Sequence, residues 1–439
     1  VLRKSGFRPA SLLAQRLALT AVAAFPLAAA AQDEEGETAS RTTDDASATS
    51  ADAEAAPLAA DAPATSVVFG YDVGLFAGTY LQAPEFGPLA DLGATAEVRH
   101  AEHRLRLGLD YTFDPFSSKS FNFGEDSTND ADGRLVQRVQ EVEGELRWRA
   151  NWSPLVESTV TAATGQRYAE YRSDHRWHID AAAGLRVGAA RSGHGIYVAP
   201  TVDFFRRIYP NYRVSGRSID QQGGGGELEL GHEFGADGEV SVSYGASVTN
   251  YLDARYDQQD ASGAVVRATE SKSYFRHVLA VGAGARLTDV ASVRLSYGFL
   301  RNNAWNYFRQ MAGRTETGEL EVRLFRDYYD YARHTVRVAG EWELPGGFDA
   351  EVFGEIELRA FDTYEARDAD NVWTGELRDD QRIEVGFEMG YPVWERGDHT
   401  LRATAFGSHI SERSNMKRDV SFVANYDITR AFLGLELSN

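Results

Sequence analysis

From about Val67 to Leu437 every second residue is aliphatic or aromatic, and the residues between are charged or small. The run Phe348-Asp349-Ala350-Glu351-Val352-Phe353-Gly354-Glu355-Ile356-Glu357-Leu358-Arg359 shows the pattern plainly. A β-strand turns successive side chains to opposite faces, so each such stretch carries one apolar and one polar face. Sixteen stretches of this kind follow one another, joined by turns that alternate between short and long.

Composition narrows what the apolar face can meet. The chain has 439 residues, no cysteine and a formal net charge of −20. No disulfide can hold it together, and the acidic balance argues against nucleic acid as a partner. Residues 1–31 read as a secretory signal. Arg3, Lys4, Arg8 and Arg16 precede the apolar stretch Leu17–Ala30, and Ala29-Ala30-Ala31 ahead of Gln32 is an A-x-A-like cleavage site. Residues 32–64 are rich in Ala, Asp, Glu, Ser and Thr and have no periodicity, as in a disordered acidic tether. Residues 65–439 form one domain, long for a single soluble core. After the signal no run of eighteen apolar residues occurs, which excludes spanning helices. A transmembrane β-barrel is compatible with low hydropathy, because only alternate residues face lipid.

The short connections fall at Ala101-Glu102-His103, Trp152-Ser153-Pro154, Ser192-Gly193-His194, Ala236-Asp237-Gly238, Thr288-Asp289-Val290, Pro345-Gly346-Gly347 and Arg396-Gly397-Asp398. All have polar or Gly/Pro turn chemistry. The opposite connections are longer, near 81–88, 117–134, 210–220, 253–271, 303–330, 362–380 and 411–418, except for a short one at Arg172-Ser173-Asp174. Short turns on one side and long loops on the other predict a sixteen-stranded antiparallel transmembrane barrel, all-β, with N and C termini on the periplasmic, short-turn side.

The two faces are consistent from strand to strand. Leu105, Leu107, Leu109, Tyr111 and Phe113 oppose Arg106, Asp110 and Asp114. Ile383, Val385, Phe387, Met389, Tyr391 and Val393 oppose Arg382, Glu384 and Glu388. A lipid-facing Arg or Lys at mid-bilayer costs about 2–4 kcal/mol, so the charged face looks into the lumen. The expected lumen-lining set is Arg106, Asp110, Glu143, Glu145 and Arg147, then Asp180, Arg186, Asp203 and Glu229, then Arg294 and Arg337. Glu351, Glu355, Glu357, Arg359 and Glu384 complete it. Acid slightly exceeds base, as in a weakly cation-preferring pore. Some of these charges are expected to pair across strands and stiffen the wall, Arg337 beside Glu351 and Glu355 among them. Trp148, Trp342 and Tyr391 near short turns, and Trp177 nearer the long loops, predict two aromatic girdles.

The last strand alternates Ala431, Leu433, Leu435, Leu437 toward the end of the sequence, which resembles the terminal insertion signal of bacterial outer-membrane β-barrel proteins. That family usually ends in an aromatic residue, whereas Asn439 stands last here. Upstream, Phe422, Ala424, Tyr426 and Ile428 have the opposite parity, which predicts a bulge near Thr429–Arg430. The likeness is porin-like and architectural, and covers the chain after the tether. It implies a bacterial outer-membrane location, contact with outer-membrane lipid and lipopolysaccharide, insertion by the barrel-assembly machinery, and a homotrimer. In general porins of sixteen strands the third outer loop forms the constriction, but the third long-side connection is nearly absent here. Pro84-Glu85-Phe86-Gly87 echoes a porin third-loop motif but sits in the first loop.

The sixth loop, 303–330, is the candidate constriction, with Trp305, Tyr307, Arg309, Arg314 and Arg323. Aromatics with arginines suit sugar stacking or anionic groups; extension of the strands above the membrane is the other reading. Gly223–Gly226 mark either a kink of the wall or a docking place for an inward loop. The acidic stretch Glu125–Gly133 lacks the spacing of a calcium loop. The ten histidines are scattered, no nucleophile elbow, H-E-x-x-H or phosphate loop occurs, and Ser408 and His409 point to opposite faces. No enzyme, cofactor or metal site is expected. The leading expectation is a passive channel for small hydrophilic solutes. The alternatives are an export or assembly barrel for an exopolysaccharide or surface lipoprotein, and a closed barrel serving adhesion or structure.

Overall fold

The protein is described by a computed structural model over residues 65–80, 85–118, 136–169, 175–188, 194–211, 213–214, 217–235, 238–259, 264–304, 308–326, 330–417 and 425–439. The expected signal and tether, the acidic second loop and most of the third connection lie outside the described residues.

The strands in chain order are β1 (Thr65–Tyr80), β2 (Glu85–His100), β3 (His103–Ser118), β4 (Val136–Ser153), β5 (Val156–Ala169), β6 (Arg176–Gly188) and β7 (His194–Ile208). Then come β8 (Arg213–Val214), β9 (Arg217–Ser218), β10 (Gln221–Phe234), β11 (Gly238–Gln259), β12 (Val265–Thr288) and β13 (Ala291–Asn303). The rest are β14 (Phe308–Arg314), β15 (Leu320–Arg326), β16 (Tyr331–Leu344), β17 (Phe348–Arg367), β18 (Trp373–Arg396), β19 (His399–Ser414) and β20 (Tyr426–Ser438). Eighteen of them share one sheet, and β8–β9 is a separate small hairpin. Within that sheet β14–β15 is a hairpin inside the sixth long connection, so sixteen strands build the wall. Each wall strand pairs antiparallel with its chain neighbour, and β20 pairs back onto β1 from Asp72↔Ser438 to Thr79↔Ala431. The barrel is therefore closed, which removes the edge an open sheet would expose.

Turn chemistry supports the tight ends. Gly346 and Gly347, with φ of 90° and 79°, carry the β16–β17 turn through the left-handed region. In β18, Pro392 has no N–H to offer, and the β18–β19 register shifts between Pro392 and Trp394. A strand crosses the bilayer in about 9–11 residues. At 22, 24, 20 and 24 residues, β11, β12, β17 and β18 run well beyond that.

The expected bulge at Thr429–Arg430 is absent. The β19–β20 ladder runs unshifted from Glu412↔Tyr426 to Thr400↔Ser438, so Ile428 and Phe432 lie buried on the inner face beside Arg430. Parity reverses in the sequence because this stretch reaches the long-loop end, where lipid no longer selects the outer residue. There Asp427, on the outer side, accepts hydrogen bonds of 2.8 and 2.7 Å from Arg413, which hold its carboxyl below the usual range.

An apolar core cluster stands at the long-loop mouth. Phe325 of β15 packs with Phe361 and Tyr364 of β17, Trp373 of β18 and Met416, with Tyr331 of β16 against them. Asp257 of β11 pairs with both Arg267 of β12 and Phe308 of β14, so β14 occupies the edge of β11 turned away from β12. The β14–β15 hairpin thus meets β11 through β14 and β17 through β15.

Candidate functional site

The outer surface follows from parity. Leu107 is 57% exposed, and Val202, Leu295, Val352 and Leu435 are exposed around the rest of the wall. Trp177, Trp342 and Tyr391 are exposed on the same face. At the short-turn end Trp148 stacks on His103 with ring centroids 5.9 Å apart and meets Trp152 edge-on at 6.2 Å. Among the described residues no helix is long and apolar enough to cross a membrane. A closed antiparallel barrel with an exposed aliphatic belt and interfacial aromatics is built for lipid, and the protein is a bacterial outer-membrane β-barrel.

The opposite parity faces the lumen. The register places Arg106 and Asp110 of β3, Glu143, Glu145 and Arg147 of β4, and Asp180 and Arg186 of β6 there. Asp203 of β7, Glu229 of β10, Arg294 of β13 and Arg337 of β16 follow, then Glu351, Glu355, Glu357 and Arg359 of β17 and Glu384 of β18. Many of these charges pair along the wall. Arg337 lies 3.0 Å from Glu351 and 3.9 Å from Glu355. Glu357 takes Arg359 at 2.6 Å and Arg333 at 3.3 Å; Glu384 takes Arg382 at 2.7 Å and Arg430 at 3.3 Å. Arg294 meets Glu341 at 2.7 Å, and Arg147 meets Glu145 at 3.3 Å. Arg333 and Glu357 are both nearly fully buried; removing one partner of such a pair costs about 3–5 kcal/mol, whereas exposed pairs contribute about 0–1 kcal/mol.

Sequence reasoning missed how the inner glycines are used. Tyr197 lies opposite Gly231, Phe205 opposite Gly223, and Phe353 opposite Gly386. In each pair a Cβ on the glycine would collide with the ring. An arginine covers the other side of each ring: Arg186 over Tyr197 at 3.9 Å, Arg207 over Phe205 at 4.9 Å and Arg337 over Phe353 at 4.2 Å. Glycine, ring and guanidinium thus stack on the wall, a cross-strand arrangement in which the ring fills the place of the absent side chain. The Gly223–Gly226 stretch is part of β10, and its register is unbroken on both sides. Phe205 occupies the space above Gly223, where an inward loop had been one expectation. The same device closes the barrel. Phe76 faces Gly434 and Phe432 faces Gly78 across the β1–β20 seam, and Phe406 stacks on Phe432 at 4.7 Å. The only signal for these pairs in the sequence is glycine at inner-parity positions.

On β10 to β13 small inner residues stand among charged ones such as Glu227, Glu229, Glu239, Arg276 and Arg294. Gly225 and Gly231, Ser241, Ser243 and Ser247, Ala280, Gly282 and Gly284, and Ser296 and Gly298 line this sector.

At the long-loop mouth the sixth-loop hairpin is fastened on one flank. Arg323 pairs with both Glu321 and Glu365 and lies 5.2 Å over Trp373. Arg314 bridges to Val372, its N–H donating to the Asn371 carbonyl at 2.8 Å. Arg367 Nη1 donates to the Ala312 carbonyl at 2.8 Å. Arg309 sits in β14 opposite Phe325, while Trp305 and Tyr307 lie outside the described residues. Among the described residues no group of three or more His, Asp or Glu is placed to hold a metal ion. Ser408 Oγ accepts from Arg430 Nε at 2.8 Å, while His409, on the other face, pairs with Thr429 at 2.8 Å.

No protein-family model and no curated protein matches the chain. Solved structures resemble it at the level of fold. CdiB from Acinetobacter baumannii aligns with a TM-score of 0.43 and 9% identity, over 84% of this chain and 60% of that one. The chain therefore spans about three fifths of CdiB's length. A loop-L8 deletion mutant of OmpT, an outer membrane protein of Vibrio cholerae, aligns at 0.40 and 11% identity, over 85% of this chain and 99% of that one. The siderophore receptor PirA from Acinetobacter baumannii aligns at 0.41 and 9%, over 84% of this chain and 80% of that one. Likeness of this size does not assign a function.

Proposed function

We propose that the barrel is a passive channel for small hydrophilic solutes, with both chain ends and the short turns on the periplasmic side. One observation carries this reading: the lumen-facing rings of Tyr197, Phe205 and Phe353 lie against glycines on the wall, with arginines stacked over them. These bulky side chains are thereby held against the wall. Barrels of 16–18 strands typically enclose an aqueous channel, and this disposition keeps one open. The β14–β15 hairpin is the element that narrows the mouth, because it is held at both β11 and β17. The inner acids, Glu351, Glu355 and Glu384 among them, give the pore a mild preference for cations.

The test is planar-bilayer recording of the refolded protein. Discrete conductance steps with mild cation selectivity are expected. Replacing residues 307–327 by a short Gly-Ser linker should raise the unitary conductance. A barrel that migrates as folded yet conducts no ions overturns the proposal; a conductance unchanged by the replacement removes the hairpin from the permeation path.

A further inference from the structure

The lumen accounts for the run Gly223–Gly226 on its inner side only. Gly223 makes room for Phe205, whereas Gly224 and Gly226 have the outward parity. They lie between Phe204 and Val202 of β7 and Val248 and Ala246 of β11. Phe204, Val202 and Val248 are exposed on the lipid face. A Cβ on Gly224 would meet the Asp203 carbonyl at 2.7 Å, so backbone crowding explains that glycine. A Cβ on Gly226 would come no closer than 3.6 Å to any neighbour, so protein packing does not ask for a glycine there. The two glycines leave a shallow apolar groove, its flanking strands about 9.6 Å apart. Leu228 and Tyr244, opposite each other and exposed, end it toward the middle of the membrane.

The head of the groove, toward the long loops, is polar. One row of the register carries the outward residues Arg206 of β7, Gln222 of β10, Asn250 of β11 and Ser273 of β12. Ser273 Oγ donates to Asn250 Oδ1 at 2.7 Å, which leaves the Asn250 amide nitrogen as a donor. Arg206 is exposed, and no carboxylate pairs with it among the described residues. Asp220, two residues before Gln222, accepts from the Tyr209 N–H at 2.7 Å. Two other outward arginines at this end do have a carboxylate: Arg301 Nη1 donates to Asp362 at 2.8 Å, and Arg413 Nη2 to Asp427 at 2.7 Å. On β6 the residue level with Arg206 is Ile179, and Trp177, one rung nearer the loops, is exposed on the same face. An interfacial indole marks the headgroup level, where a lipid-facing arginine finds anionic groups. A guanidinium and two amides above an apolar groove are complementary to a phosphate with an acyl chain beneath it.

We propose that Arg206, Gln222 and Asn250, with the Gly224–Gly226 groove beneath them, bind a phosphorylated, acylated glycolipid of the outer leaflet, its phosphate on the polar row and an acyl chain in the groove. The leaflet rests on the orientation in the channel reading, with the long loops outside, so binding is measured apart from orientation and conduction. Native mass spectrometry of the full barrel refolded in detergent would compare diphosphoryl lipid A, its dephosphorylated form and phosphatidylglycerol. Retention of diphosphoryl lipid A, and about tenfold less of the other two, is expected. Arg206→Gln should weaken retention about tenfold, the loss of one charge-assisted hydrogen bond, and Arg206→Lys should keep part of it. Gly226→Leu, which fills the groove and leaves Arg206 in place, should weaken retention as well. Arg413→Gln, which removes a guanidinium already held by Asp427, should leave it unchanged. Heat-modifiable migration on a gel verifies the fold of each variant. Unchanged retention in folded Arg206→Gln or Gly226→Leu, or equal retention of the dephosphorylated lipid, overturns the site. Phosphatidylglycerol held as tightly as lipid A overturns the assignment to a glycolipid. Arg206-dependent binding by a barrel that conducts no ions would sink the channel and leave the site standing.

Discussion

Phe325→Ala separates the docking of the sixth-loop hairpin from the stability of the barrel. Phe325 is 7% exposed, with ring centroids 5.1 Å from Trp373 and 6.0 Å from Tyr364. A buried aromatic removes about 150–200 Å² from water, which at about 25 cal/mol per Å² is about 4 kcal/mol. Measured Phe→Ala changes in cores fall at about 3–5 kcal/mol. Isolated two-stranded hairpins are marginal at best, so β14–β15 depends on this contact together with the Arg323–Glu365 pair and the Arg367–Ala312 hydrogen bond. Taking about 3 kcal/mol as the docking loss, local opening should become about a hundredfold more frequent. Native-state hydrogen exchange would read this at the Arg314 amide, which donates to the Asn371 carbonyl. Amides in the β3–β4 ladder, on another side of the barrel, should keep their protection, and cleavage by protease after Arg314 should accelerate. An Arg314 amide whose exchange changes less than threefold would refute the assignment of Phe325 as the anchor. An equal loss of protection in β3–β4 would show that the hairpin and barrel open as one unit.

Two further outcomes test the wall. Leu107→Arg places a charge on the lipid face and should cost about 2–4 kcal/mol in urea titrations of folding into vesicles, while Arg106→Leu on the lumen side should cost less; equal costs would overturn the assignment of faces. Gly434→Val puts a side chain into the Phe76 ring and the Leu75 carbonyl at the β1–β20 seam, so the folded band on a semi-native gel should convert to the unfolded one at a lower temperature, and an unchanged conversion temperature would show that the seam does not need the glycine.

The period-two pattern was enough to read sixteen wall strands and their closure into a barrel. The reason is that a strand shifted by one residue would turn a row such as Leu105, Leu107 and Leu109 away from lipid and a row such as Arg104, Arg106 and Asp110 into it, at several kcal/mol per charge. That logic ends where lipid ends. At Ile428, beyond the bilayer, the inner residue is apolar and Asp427 points outward, so alternation alone suggested a bulge that the ladder does not contain.

What the chain alone determined is which side of each strand faces lipid, because hydrophobic selection acts on every residue locally. What only the tertiary structure decided is which residue stands opposite which. Phe205 meets Gly223, Phe76 meets Gly434, and Asp257 offers its second edge to Phe308, across separations along the chain that no local period encodes. These pairings depend on register summed around a closed wall, and they dispose the lumen: rings flat on glycines, arginines over rings, and one hairpin held across the mouth.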